Sequence, residues 1–93
     1  MIEVNEYFDG AVKSLSLETD TLPATVGVME PGEYTFNTAA AERMTIISGV
    51  LNIKLSGSDD FVAYAAGESF DVAADSAFDV KLDAQAAYLC LYG

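Results

Sequence analysis

The stretch from Pro31 to Leu55 constrains the fold most, because it sets strand patterns and turn signals too close together for helices. Pro31-Gly32 marks a tight turn, since proline presets φ and glycine accepts a positive one. Glu33 to Asn37 then alternates, with Tyr34 and Phe36 on one face and Glu33 and Thr35 on the other. Met44–Ile47 and Val50–Leu55 are rich in the β-branched and aliphatic residues that strands prefer. Ser48-Gly49 between them predicts a two-residue hairpin turn.

The rest of the chain repeats this rhythm. Ala11–Leu17 alternates Val12, Ser14 and Ser16 against Lys13, Leu15 and Leu17. Ala24–Met29 is a strand with Gly27 at its centre, which suggests a bulge or the close approach of another group. Phe61–Tyr64, Ser69–Val72, Ala77–Leu82 and Ala86–Tyr92 complete the strands, the last with Tyr88, Cys90 and Tyr92 on one face. Ala39-Ala40-Ala41 has room for one helical turn, too short to nucleate alone. Short strands separated by turn signals predict an all-β sandwich or barrel. Residues 1–93 form one domain, with 1–10 as an N-terminal arm whose Tyr7 and Phe8 tuck onto the barrel or a second subunit.

Charge removes several function classes. Fifteen acidic and four basic residues give a net charge of −11. The cations, Lys13, Arg43, Lys54 and Lys81, are scattered, which argues against nucleic acid and against anionic membranes as partners. There are no histidines, so the usual nitrogen ligands of transition metals are missing. Cys90 is the only cysteine, which forbids an internal disulfide. No apolar run is long enough to span a bilayer, and the N-terminus lacks the pattern of a signal peptide, so the expected compartment is the cytoplasm.

Two resemblances add to this reading. Glu42, six residues and Gly49, preceded by the Gly32-led strand, resemble the first signature of the cupin superfamily of small antiparallel β-barrels or jelly rolls. Gly67 matches the second signature, whereas Ala73, Asp75 and Phe78 stand where cupins carry proline, glycine and histidine. Thr38 and Phe78 occupy positions of metal-binding histidines, which implies metal-free chemistry. More narrowly, Asn5-Glu6-Tyr7-Phe8, Val12-Lys13-Ser14, Gly27-Val28-Met29, Gly32–Phe36, Met44-Thr45 with Ile47-Ser48-Gly49, and Tyr88-Leu89-Cys90 together resemble the small bacterial pyrimidine/purine nucleoside phosphorylases. That resemblance implies phosphorolysis of purine and pyrimidine nucleosides to free base and α-D-ribose 1-phosphate. It further implies a homodimer that uses phosphate as co-substrate and no cofactor.

Such a reaction needs a phosphate site, a group that stabilises positive charge on the ribose, and a platform for the base. Lys13, with Ser14 beside it, and Arg43 are the candidates for phosphate. Glu42, at the inward-pointing cupin position, and Glu33 are the candidate carboxylates for the ribose and its developing charge. Tyr34, Phe36, Phe78 and Tyr88 are candidates to stack on a base, and every base has a π-face. Met44 shares the parity of Glu42 and is expected in the same cavity, and Ser48 and Thr45 carry hydroxyls able to donate. Cys90 reads as a buried small hydrophobe. The competing reading is a non-catalytic cupin that binds a small ligand such as a nucleoside or sugar, because fold alone does not settle activity.

Overall fold

A computed structural model describes residues 1–93. Ten strands and no helix make up the fold: β1 (Val4–Tyr7), β2 (Val12–Glu18), β3 (Pro23–Met29), β4 (Gly32–Asn37), β5 (Glu42–Ser48), β6 (Val50–Leu55), β7 (Val62–Ala65), β8 (Ser69–Val72), β9 (Ala77–Leu82) and β10 (Ala86–Tyr92). They form a six-stranded sheet in the order β1-β2-β3-β10-β5-β8 and a four-stranded sheet in the order β4-β9-β6-β7. Every pairing is antiparallel. The strands pack as the expected cupin-like jelly roll, but the two sheets remain separate and do not close into one continuous barrel.

Alternation explains the core. The larger sheet turns Val12, Met29, Met44, Ile46, Phe70, Val72, Tyr88 and Cys90 inward, and the smaller sheet answers with Tyr34, Leu51, Ile53, Phe78, Val80 and Leu82. Aromatic rings bridge the layers. Phe36 stacks on Phe78 at 5.5 Å, Phe78 meets Phe70 at 5.9 Å, and Phe8 from the N-terminal arm caps the row, 5.4 Å from Phe36 and 4.9 Å from Tyr34. The rest of the arm is β1, an edge strand on β2.

The expected hairpin at Ser48-Gly49 is a corner between sheets instead. β5 belongs to the larger sheet, where it pairs with β10 and β8, whereas β6 pairs with β7 and β9 in the smaller one. Gly49 makes the corner at φ 89°, and a Cβ there would lie 2.9 Å from the Gln85 carbonyl oxygen. A hairpin would set Ile46 opposite Leu51, and both are buried, so alternation fits hairpin and corner equally well. Likewise β8 and β9 lie in different sheets. Ala39–Ala41 forms no helical turn. Thr38 instead secures that segment, its hydroxyl donating to the Ala73 carbonyl at 2.7 Å and accepting from the Ser76 N–H at 2.9 Å.

Candidate active site

A cavity of about 210 Å³ opens between the sheets, and its two walls differ in chemistry. The larger sheet contributes the polar wall: Ser14 from β2, Glu42 from β5, and Tyr88, Cys90 and Tyr92 from β10. The smaller sheet contributes the aromatic wall, Phe36 from β4 and Phe78 from β9. Met29 and Met44 fill the interior, and the exposed Tyr7 and Asn37 stand at the rim.

Glu42 is the only charged residue lining the cavity. It is half-buried at the start of β5, directly opposite Tyr92 on β10. Burial raises its pKa above the ordinary carboxylate value, and a hydrogen bond from Cys90 partly opposes that rise. The Cys90 Sγ–H donates to Glu42 Oε1 at 3.4 Å. Burial, with the carboxylate charge beside it, pushes the Cys90 thiol up to about 12, so it stays protonated and is a donor and no nucleophile at neutral pH. Behind it, the Tyr92 hydroxyl lies 3.0 Å from the Thr25 hydroxyl.

Tyr88 owes its position to a glycine. Asn5, Ser14, Gly27 and Tyr88 stand in one row across β1, β2, β3 and β10. A Cβ on Gly27 would lie 2.5 Å from both Cζ and the hydroxyl of Tyr88. The phenol therefore lies across β3 in the space a side chain would fill. This close approach is what Gly27 provides, and no bulge forms there. The β3 backbone covers one ring face, so Tyr88 offers the cavity its hydroxyl more than a stacking surface. Burial raises that hydroxyl to about 12.

The remaining candidates divide sharply. Glu42, Ser14, Phe36, Met44, Phe78 and Tyr88 come together around the cavity. Tyr34 is buried next to them but spends its hydroxyl on the Glu30 carbonyl at 2.8 Å. Glu33 lies outside the cavity, exposed and 3.6 Å from Lys81. Lys13 projects to solvent and pairs with Glu6 at 3.5 Å. Ser48 is exposed at the sheet corner, and Thr45 bonds Ser69 at 2.7 Å. Arg43 makes no ion pair and lines a neighbouring hollow of about 460 Å³ that shares Glu42 as a wall with the cavity. Cys90 and Tyr92 belong to the site although the sequence pattern gave them no part in it. The parity that groups them with Tyr88 was the available signal, whereas nothing local to Tyr7 or Asn37 announced a rim.

No group of three His, Cys, Asp or Glu side chains in the protein is arranged to hold a metal ion. The chain is 55% identical, over the full length of both proteins, to a pyrimidine/purine nucleoside phosphorylase of Magnetococcus marinus. It is 56% identical to one of Psychromonas ingrahamii, covering 97% of this chain and 96% of that protein. A crystal structure of a protein of unknown function from Vibrio parahaemolyticus superposes with a TM-score of 0.96 at 47% identity, covering 100% of this chain and 99% of that one. A cupin from Shewanella frigidimarina shares the fold at a TM-score of 0.77 and 18% identity, covering 98% and 82% of the two chains. The model of the pyrimidine/purine nucleoside phosphorylases matches residues 2–92, so the chain belongs to the pyrimidine/purine nucleoside phosphorylase family.

Proposed function

We propose that this protein is a nucleoside phosphorylase of broad specificity, converting purine and pyrimidine nucleosides plus phosphate to free base and α-D-ribose 1-phosphate. The observation that carries this reading is a family match spanning residues 2–92, on a chain with a cavity that joins a lone carboxylate to an aromatic wall. In the reaction a phosphate oxygen attacks C1′ and the C1′–N bond breaks. The bonding pair leaves on the base nitrogen, which takes a proton. Positive charge builds on the ribose between these events, and the half-buried carboxylate of Glu42 is the group to stabilise it.

Cavity size supports broad specificity. At about 210 Å³ it is smaller than the roughly 300–1,000 Å³ usual for small-molecule sites. It takes one ring, the ribose beside the polar wall, and leaves the base toward the rim beside the half-buried Phe36, which the buried Phe78 backs from within. A base held only by its π-face, toward the open rim, is accepted whether it has one ring or two. Arg43 is the cation we assign to phosphate, because it is unpaired and its hollow adjoins Glu42, whereas Lys13 pairs with Glu6. Metal-free catalysis is supported by a sequence without histidine.

We also read the protein as a homodimer of the cytoplasm. On the outer face of the larger sheet Leu15, Leu17, Val28 and Ile47 are 46–50% exposed, an apolar surface suited to a second copy. A reducing compartment agrees with the free thiol of Cys90, and no helix is long and apolar enough to cross a membrane. The deciding experiment incubates EDTA-treated protein with inosine and with uridine, with and without phosphate, and follows base and ribose 1-phosphate by chromatography. Release from both nucleosides only with phosphate is the expected result. A phosphate-insensitive shift in melting temperature without turnover would make the protein a binder.

A further inference from the structure

We propose that Tyr7 of the N-terminal arm is the second face of the base site, so that a purine or pyrimidine sits between the Tyr7 and Phe36 rings at the rim of the cavity. The inference rests on the phosphorylase reading for the ligand, a nucleoside, and on the geometry of the arm for the slot.

Tyr7 reaches the cavity through its strand register. It is the Cα partner of Val12 across the β1–β2 pair, and Val12 is fully buried. Cross-strand partners share a face of the sheet, so Tyr7 faces inward although β1 is an edge strand and the residue is 45% exposed. Phe36 lines the same cavity from β4 in the other sheet. Phe36 meets Phe78, Phe8 and Tyr34, whereas Tyr7 joins none of the ring–ring contacts of that row. Two aromatic rings from opposite walls therefore flank the opening without packing on each other. A planar heterocycle placed between them has both of its π-faces covered.

The backbone after Tyr7 shows what holds the ring there. Phe8, Asp9 and Gly10 all have positive φ, at 53°, 56° and 87°. Glycine takes that conformation freely, whereas a residue as bulky as phenylalanine is strained in it. The Gly10 N–H donates to the Tyr7 carbonyl at 3.2 Å and the Ala11 N–H to the Phe8 carbonyl at 3.1 Å, which tightens the turn. The strain persists because the Phe8 ring is held between Tyr34 at 4.9 Å and Phe36 at 5.4 Å. The ring that caps the aromatic wall thus also fixes the end of β1, where Tyr7 stands. Phe8 is a positioning residue, and Tyr7 is the one that touches the base.

The chain contains no tryptophan, so Tyr7→Trp places a single fluorophore in the slot. Inosine and uridine, added without phosphate, should each quench its emission, and D-ribose alone should not. Quenching by D-ribose as strong as that by inosine would put the sugar at the rim and overturn the slot. Tyr7→Leu keeps an apolar side chain but removes the π-face. Its KM for inosine should rise about tenfold and its KM for uridine about threefold, because the two-ring base stacks over more area, with KM for phosphate unchanged. Phe8→Gly relaxes the backbone and removes the anchor, and should raise KM for inosine while kcat stays near that of the parent, which a general loss of structure would not do. Unchanged KM for both nucleosides in Tyr7→Leu would overturn the slot, and unchanged KM in Phe8→Gly would remove Phe8 from it. Quenching in a protein that releases no base ends the phosphorylase reading and leaves the slot standing. Phosphorolysis without quenching, with Tyr7→Leu as effective as the parent, does the reverse.

Discussion

The two walls of the cavity are built from strands with the same alternation, yet only one carries chemistry. The larger sheet brings Ser14, Glu42, Tyr88, Cys90 and Tyr92 to the site, whereas the smaller sheet brings Phe36 and Phe78. The polar wall is held by hydrogen bonds between neighbouring strands, Cys90 to Glu42 and Tyr92 with Thr25. The aromatic wall is held by stacking, Phe36 on Phe78 with Phe8 outside. Hydrogen bonds fix where a proton lies and stacking does not, so a reaction that develops charge belongs on the first wall and a variable base on the second.

Glu42→Gln should produce the largest effect, because it removes the one charge on the polar wall. Phosphorolysis falls about 10²–10³-fold if the carboxylate stabilises the ribose cation. Stability moves the other way. The folded-state pKa of Glu42 lies above the ordinary value, so the native protein binds a proton more tightly than the unfolded chain. Ionisation therefore costs stability, and that cost appears as pH rises from the ordinary value of 4.5 through the folded-state pKa. Glutamine does not ionise, so at pH 7 the variant should melt roughly 1–3 °C higher than the parent, a modest gain because the carboxylate is half exposed. The difference should vanish below pH 4.5, where both side chains are neutral. Thermal melts at both pH values check this. A variant less stable at pH 7 would mean that the carboxylate supports the wall structurally.

Parity along a strand was legible in the sequence, because it is a property of a few consecutive residues. It placed Glu42 with Met44, and Tyr88 with Cys90 and Tyr92, and all five line the cavity. It also separated Phe36 from Glu33, which faces solvent and Lys81. Sheet membership was not legible. Ser48-Gly49 has the composition of a hairpin, and only the packing of Gly49 against Gln85 and Ala86 makes it a corner. The partner of Gly27 was hidden for the same reason, since Tyr88 lies far along the chain and meets it only through the β3–β10 register. Cation roles were the least readable. Lys13 lies in a family-like segment but points outward to Glu6, and Arg43, with weaker motif support, adjoins the site.

Those two cations give the next contrast. Arg43→Ala should raise KM for phosphate roughly tenfold and leave KM for inosine nearly unchanged, as expected for loss of one charge-assisted contact. Lys13→Ala should change neither constant by more than about twofold, because an exposed ion pair contributes little. Steady-state kinetics with phosphate and inosine varied separately read both. The opposite ranking would move the phosphate site to the outer face of β2.

The smallest effect concerns how the polar wall tunes its own carboxylate. The Cys90 thiol donates to Glu42. That bond lowers the pKa of Glu42 and partly cancels the rise from burial. Cys90→Ala removes the donor and lets the pKa climb, so the active carboxylate is lost at a higher pH on acidification. Activity near pH 8 should match that of the parent, while on acidification toward the ordinary carboxylate range activity is lost earlier than in the parent, by the effect of one weak hydrogen bond. Cys90→Ser keeps a donor at the same place and should hold the parent profile. Phosphate titrates in the same range, but identically for all three proteins, so it cancels when their profiles are divided. Equal profiles for alanine and serine would show that the thiol only fills space. A serine variant that behaves like the parent, beside an alanine variant that does not, would show that the proton Cys90 holds toward Glu42 is part of the site.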